Sequence, residues 1–137
     1  MPRFTWPLQN GQPIISIYLR DVETGVLLPR TLLADTGAGD ACTSVELILS
    51  QRDGKQFGQR WVGNAQGGGF VRGNFEIQLV PIVIPAVNVS RLAAALLIPA
   101  NELPQGLNGI AGFRLLNAFS YGNFGDPKRF GLEASGD

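Results

Sequence analysis

The chain has 137 residues, 45% of them hydrophobic and 16% charged, which fits one ordinary domain that can bury a core of its own. Eleven acidic side chains balance eleven basic ones with no Lys/Arg run, so the charge pattern gives no reason to expect nucleic acid or an anionic membrane surface as partner. With no histidine and a single cysteine, Ser-His-Asp and Cys-His catalysis, His-based and cysteine-rich metal sites and an internal disulfide are all excluded, and no metal or cofactor is expected.

The amino-terminal MPRFTWPLQNGQP lacks the apolar core of a secretion signal. The longest apolar run, around Leu92 to Ile98, is too short to span a bilayer. The expectation is a cytoplasmic chain without a membrane partner. Eighteen glycines and nine prolines cut the sequence into short segments, the punctuation of an all-β protein. PIISIYLR alternates, with Ile15, Ile17 and Leu19 on one face and Ser16, Tyr18 and Arg20 on the other. DVETG reads as a turn, and VLLPRTLLAD as a returning strand that ends at Asp35. RWVGNAQGGGFVRGNFEIQLV has two strand-like arms around a glycine-rich centre. VNVSRLAAALLIPANELPQG is ambiguous: its alanines and leucines favour helix, but Pro85 and Pro99 bracket it and its neighbours are strands. A strand is expected over roughly Ala94 to Ile98. After Gly112, FRLLNAF is the best helix candidate, and SYGNFGDPKRFGLEA reads as a hairpin turning at Gly-Asp-Pro-Lys. No repeat or linker interrupts residues 1–137, which are read as a single domain with its core at about 13–134.

Two readings compete for TLLADTGAGDACTS. In one, Asp35 is a turn residue that caps a strand end. In the other it is a carboxylate projected into a cleft, and with no imidazole in the chain such acids carry the acid–base work. Gly37 lets the backbone approach without a Cβ, and the Thr36 hydroxyl can both donate and accept. Cys42, in the same stretch, is read as a small buried hydrophobe. VGNAQGGGFV is either a flexible hairpin tip or a phosphate cradle, and the cradle fails because neither Gly-Lys-Ser/Thr nor a helix start follows.

Further along, LNGIAGFRLL has the form apolar-x-Gly-Ile-Ala-Gly-x-x-Leu-Leu, and FGDPKRFGLEA closes the chain. LLADTGAGD, LNGIAGFRLL and FGDPKRFGLEA, in that order, resemble the signatures of the aspartic proteases, specifically the single-lobed, retropepsin-like group. The resemblance runs from about Pro13 to Ala134. It implies an all-β, retropepsin-like acid protease barrel with one short helix and one lobe per chain, and an active site at a two-fold dimer axis. It implies Asp35 as the catalytic carboxylate, Thr36 and Gly37 as its loop supports, and a hydrogen bond from Thr36 to its twin in the other subunit. Because Asp-Thr-Gly occurs once and Asp-Ser-Gly not at all, the second carboxylate has to come from Asp35 of another copy, and the partners implied are a homodimer mate and a polypeptide substrate. The glycine-rich hairpin becomes a flap at roughly 64–70. Substrate contacts are expected at Ala38, Asp40, Gln66, Gly67, Gly68, Gly69, Ile110 and Ala111, with Asp40 either binding a polar group at the rim or solvated. Trp61 is expected to pack the base of the flap.

The chain departs from the retroviral pattern in several places. The acidic residue after the motif glycine and the arginine after the later glycine are replaced by Gly39 and Phe113, while Arg114 stands one residue along and either substitutes or faces solvent. The bulky apolar flap tip is missing, and the terminal strands that knit viral dimers are expected to differ. The leading function is an aspartic endopeptidase. Two others stay open: a catalytically inactive dimerisation or peptide-binding module on the same fold, and an unrelated β-barrel in which Asp35 is only a turn residue.

Overall fold

A computed structural model describes residues 2–40, 43–66 and 73–135. In chain order the elements are β1 (Arg3–Pro7), β2 (Ile14–Arg20), β3 (Leu27–Ala34), β4 (Leu47–Ser50), α1 (Gln51–Phe57), β5 (Arg60–Gln66), β6 (Asn74–Ile84), β7 (Val89–Ile98), β8 (Gly109–Ala111), α2 (Phe113–Leu116), β9 (Phe119–Gly122) and β10 (Arg129–Ala134), with short 3-10 turns at Pro85–Val87 and Ala100–Glu102. Strand outweighs helix, 53% against 14%, so the all-β expectation holds. Among the described residues no helix is long and apolar enough to cross a membrane.

Six strands close into a barrel in the order β2-β3-β8-β4-β7-β6, sealed by pairing of β2 with β6 at Tyr18 and Leu19. β5 extends the sheet beyond β6. Most neighbours are antiparallel, but β8 runs parallel to β3, and β4 parallel to β7. A second, three-stranded sheet, β1-β10-β9, joins the two ends of the same chain. It packs Trp6, Phe119, Tyr121 and Phe130 against the barrel core.

The alternation read in β2 is the alternation of the barrel wall: Ile15, Ile17 and Leu19 are fully buried, because successive side chains of a strand point to opposite faces. β7 settles the helix–strand ambiguity in favour of strand. From Ala93 to Ile98 it is buried on both faces, Ala93, Ala95 and Leu97 in the barrel interior and Ala94, Leu96 and Ile98 in a second apolar cluster. A strand covered on both sides has no polar positions to alternate, so its sequence looks like a helix former's. Pairing with β6 from Ile77↔Leu96 to Ile84↔Val89, and with β4, outweighs the local propensity. The expected helix forms as α2 and the closing hairpin as β9–β10, turning through Asn123 to Lys128.

α1 has no apolar period and carries a glycine mid-helix, so it left no helical signal in the sequence. Ser50 caps it by accepting from Asp53 N–H at 2.9 Å. A Cβ at Gly54 would collide with Leu97, so glycine is what lets the helix lie on β7. Arg30 of β3 then grips Asp53 with two bonds, Nε to Oδ2 and Nη2 to Oδ1, both 2.8 Å, and its guanidinium lies over the Phe57 ring. The Asp53 side chain is 7% exposed and that of Arg30 20%. Removing one member therefore strands a largely desolvated charge. Asp53→Ala should cost about 3 kcal/mol in urea unfolding; a loss under about 1 kcal/mol would mean the pair is no more than a surface contact.

Candidate active site

β3 ends where it meets β8. Ala34 N–H donates to Pro13 O at 2.9 Å, and the next amide, Asp35 N–H, donates to Ala111 O at 2.9 Å. The chain then turns: Ala38 N–H returns to Asp35 O at 3.1 Å, and Gly37 N–H donates to Asp35 Oδ1 at 2.9 Å. One carboxylate oxygen is thus fixed by a main-chain donor. Asp35 is half-buried, while Thr36 and Gly37 are exposed at the tip. The loop is tied down again by Phe113 N–H to Ala38 O (2.9 Å) and Gly112 N–H to Glu46 O (3.0 Å).

Strand alternation decides what lies beside the carboxylate. Leu32 and Ala34 point into the barrel interior, so Leu33 and Asp35 fall on the other side. On that side the register runs Leu33↔Ile110, Ile110↔Ile48, Ile48↔Leu96 and Leu96↔Ile77 across five strands. Ile77, Leu96 and Ile98 belong to the second apolar cluster, against which Ile48, Ala65 and Phe75 pack. The aspartate stands at the end of an apolar row.

Ile110 is half-buried in that row, in keeping with a wall position. Ala111 is not: its side chain is fully buried in the barrel interior, and it serves the site through the carbonyl that accepts from Asp35. The one-residue step along β8 flips it to the far face. Ala38 is half-buried and also contributes through its carbonyl. Asp40 is exposed, with its N–H donating to Thr43 Oγ1 at 2.8 Å and its Oδ1 accepting from the same hydroxyl at 3.1 Å. Gln66 ends β5 opposite Asn74. Gly67, Gly68 and Gly69, like Cys42, lie outside the described residues.

Trp61 does not pack a flap base. It is 59% exposed, its indole N–H donating to Asn64 Oδ1 at 2.8 Å. A register shift between Trp61 and Gly63 places an extra residue in β5, and such bulges re-aim side chains. Gly39 sits at φ 78°, and a Cβ there would crowd the Thr43 side chain, 3.1 Å from its Oγ1. Arg114 does not merely face solvent: its Nη1 donates to Thr43 O. Ile48, Ile77 and Leu96 of this row were not among the expected contacts, although in the first half of β6 Phe75, Ile77 and Leu79 alternate with Asn74, Glu76 and Gln78.

A cavity of about 320 Å³ is lined by Gln51, Lys55, Glu76, Gln78 and Leu97. Glu76 and Gln78 flank Ile77 on β6, so the cavity opens on the opposite face from the apolar row and lies apart from Asp35.

Glu46 anchors the far end of the Asp35 loop. Its carboxylate takes two bonds from Arg91, at 3.1 and 2.6 Å, and one from Ala94 N–H at 3.2 Å. Burial pushes this carboxyl up, but the Arg91 hydrogen bonds and charge, the Ala94 amide and the nearby Arg114 charge together outweigh it and hold the group below the usual glutamate range.

No family model and no curated protein matches the sequence. Among solved structures the chain is similar to a retropepsin-like aspartic protease from Rickettsia conorii, with a TM-score of 0.56 and 14% identity over 95% of this chain and 89% of that one. A weaker likeness, TM-score 0.43 at 14% identity over 82% and 80% of the two chains, is to the retroviral protease-like domain of Ddi1 from Leishmania major.

The depressed glutamate gives a pH test. Its stabilisation is complete above the unfolded-state pKa and is lost as pH falls through the lower folded-state value. Glu46→Gln should cost about 1 kcal/mol at pH 7, discounted for the exposure of Arg91. The gap between the two proteins should close as the pH is lowered past the usual glutamate range. Urea unfolding at several pH values reads this directly, and a gap independent of pH would contradict it.

Proposed function

From a chain whose fold is retropepsin-like, we propose an aspartic endopeptidase that acts as a homodimer on extended polypeptides, each copy lending its Asp35 to one shared site. The observation that carries the reading is the placement of Asp35: a carboxylate at a strand-ending turn, one oxygen held by Gly37 N–H, at the end of an apolar row. The same bond closes the ordinary turns at Asp21 and Asp126, so it is the carboxylate's place beside the apolar row that favours this reading.

In the proposed dimer the two Asp35 carboxyls share one proton, since two like charges about 3 Å apart cannot both stay ionised. The ionised member takes a proton from a water held between them, and the oxygen of that water attacks the scissile carbonyl carbon. The neutral member donates a hydrogen bond to the carbonyl oxygen, where negative charge develops. Breaking the C–N bond then requires a proton on the leaving nitrogen, which the pair supplies. Gly37 N–H, by occupying Asp35 Oδ1, fixes the carboxyl's orientation so that no energy is spent turning it during the reaction. Thr36, exposed beside it, is free of the barrel and suited to brace its twin across the axis.

The arms β5 and β6 form the hairpin that this reading takes as the flap, which would cover an extended peptide and exclude water. The peptide would lie as an added strand whose alternate side chains meet the apolar row. Ile110 is its wall residue nearest Asp35 in sequence register, and Ala38 and Asp40 form the rim.

Incubation with a peptide library at mildly acidic pH should show cleavage, abolished by an inhibitor that mimics the tetrahedral intermediate and reduced more than about 1,000-fold by Asp35→Asn. Cleavage that survives the substitution defeats the assignment. Stable dimers without any cleavage would favour a peptide-binding module. Activity should also fall faster than linearly on dilution, because two copies build one site; strictly linear behaviour would count against a shared site.

A further inference from the structure

The loop that begins at Asp35 is fastened in two different ways along its length. Its first half is held by main chain: Asp35 N–H to Ala111 O, Ala38 N–H to Asp35 O and Phe113 N–H to Ala38 O. Side-chain substitution leaves these donors and acceptors in place. Its second half has one main-chain bond, Thr43 N–H to Asp40 O at 3.2 Å, and otherwise depends on side chains. The Thr43 hydroxyl closes a ring with Asp40, accepting from its N–H and donating to its Oδ1, and the Arg114 guanidinium donates to Thr43 O. Between the halves stands Gly39 in the left-handed region, at φ 78°.

Arg114 occupies the second position of α2, immediately after the residue whose N–H holds Ala38 O. The arginine is therefore borne by a backbone already locked to the first half of the loop, and it reaches across to the second half. Its charge also lies near enough to Glu46 to favour that group's ionised form. The guanidinium is planar and offers several donors in a fixed fork, whereas an ammonium is a single point donor on a flexible stem.

We propose that Arg114 is a positioning residue that sets Thr43 and Asp40, the rim of the site, without acting on Asp35. The inference rests on the endopeptidase reading above, in which Asp35 performs the chemistry and the rim grips the extended substrate. Its consequence is a separation of roles within one loop. Loss of Arg114 loosens the grip on substrate while the carboxylate stays where the main chain puts it. The effect falls on KM rather than kcat.

The test uses the full chain with a cleaved peptide from the library, comparing wild type with Arg114→Met, Arg114→Lys and Thr43→Val. Arg114→Met should raise KM about fivefold with kcat within about twofold, the size expected for one hydrogen bond of ordinary strength at an exposed position. Arg114→Lys should lie between it and wild type, and Thr43→Val, which removes the hydroxyl ring with Asp40 but keeps the carbonyl that Arg114 holds, should reproduce the KM rise. Amide hydrogen exchange supplies a readout independent of cleavage. In Arg114→Met the Asp40 N–H should exchange about tenfold faster while those of Asp35 and Ala38 keep their rates. A fall in kcat with KM unchanged, or unchanged exchange at Asp40, overturns the proposal. Were the wild type to cleave no peptide, the endopeptidase reading would fail, and the exchange rates would still decide whether Arg114 holds the rim.

Discussion

Between the start of β8 and the start of α2 the backbone passes its neighbours too closely for side chains. At Gly109 a Cβ would collide with the Ile48 carbonyl oxygen and the Leu32 side chain; at Gly112 it would stand 2.8 Å from the Ala38 carbonyl oxygen. Only glycine permits both approaches. Through them β8 runs parallel to β3 and antiparallel to β4, the amide of Asp35 finds Ala111 O, and Ala38 O finds Phe113 N–H. The position of the carboxylate is thus a property of packed main chain, and the barrel around it exists to keep those strands in register.

That dependence explains how the rest of the molecule is arranged. The ion pairs Arg30–Asp53 and Arg91–Glu46 fasten periphery to barrel, a helix to β3 and the β4 entry to β7, while Arg3–Glu133 ties β1 to β10 within the second sheet. Each could change without moving the β3–β8 crossing. The apolar clusters on the two faces of β7 do the opposite work, filling space on both sides of the strands that define the site. Close packing on both faces leaves the sheet little freedom to shear, so a half-ångström error at the carboxylate is resisted by the whole wall.

Much of this was legible in the sequence because it follows from short-range rules. The β2 alternation, the strand ending at Asp35, the two arms of the β5–β6 hairpin and the helix after Gly112 all stand where pattern and punctuation put them. β7 was readable only through its context, since two buried faces erase the period. What pattern could not supply were contacts between distant segments. α1 depends on Ser50, Arg30 and a glycine fitted to Leu97. Whether Ile110 or Ala111 faces the site turns on a register of one residue. The exposure of Trp61 follows from a bulge, and the reach of Arg114 to Thr43 O crosses 71 positions of sequence.

The same geometry bears on why the proposed enzyme would need a second copy. A shared proton requires a second carboxyl that can approach the Asp35 carboxyl, whose Oδ1 accepts from Gly37 N–H. Within the chain the acids that follow Asp35 in its loop are committed: Asp40 accepts from Thr43, and Glu46 is clamped by Arg91 and Ala94 N–H. Drawing either one to Asp35 would break a bond that fixes the second half of the loop. The terminal strands, meanwhile, are paired with each other in one sheet, so dimerisation through an exchange of those strands would first have to take that sheet apart. The exposed turn at Thr36 and Gly37 carries no such cost. In the proposed dimer, an association centred on that turn would bring two identical carboxyls together with the internal bonds of each copy intact.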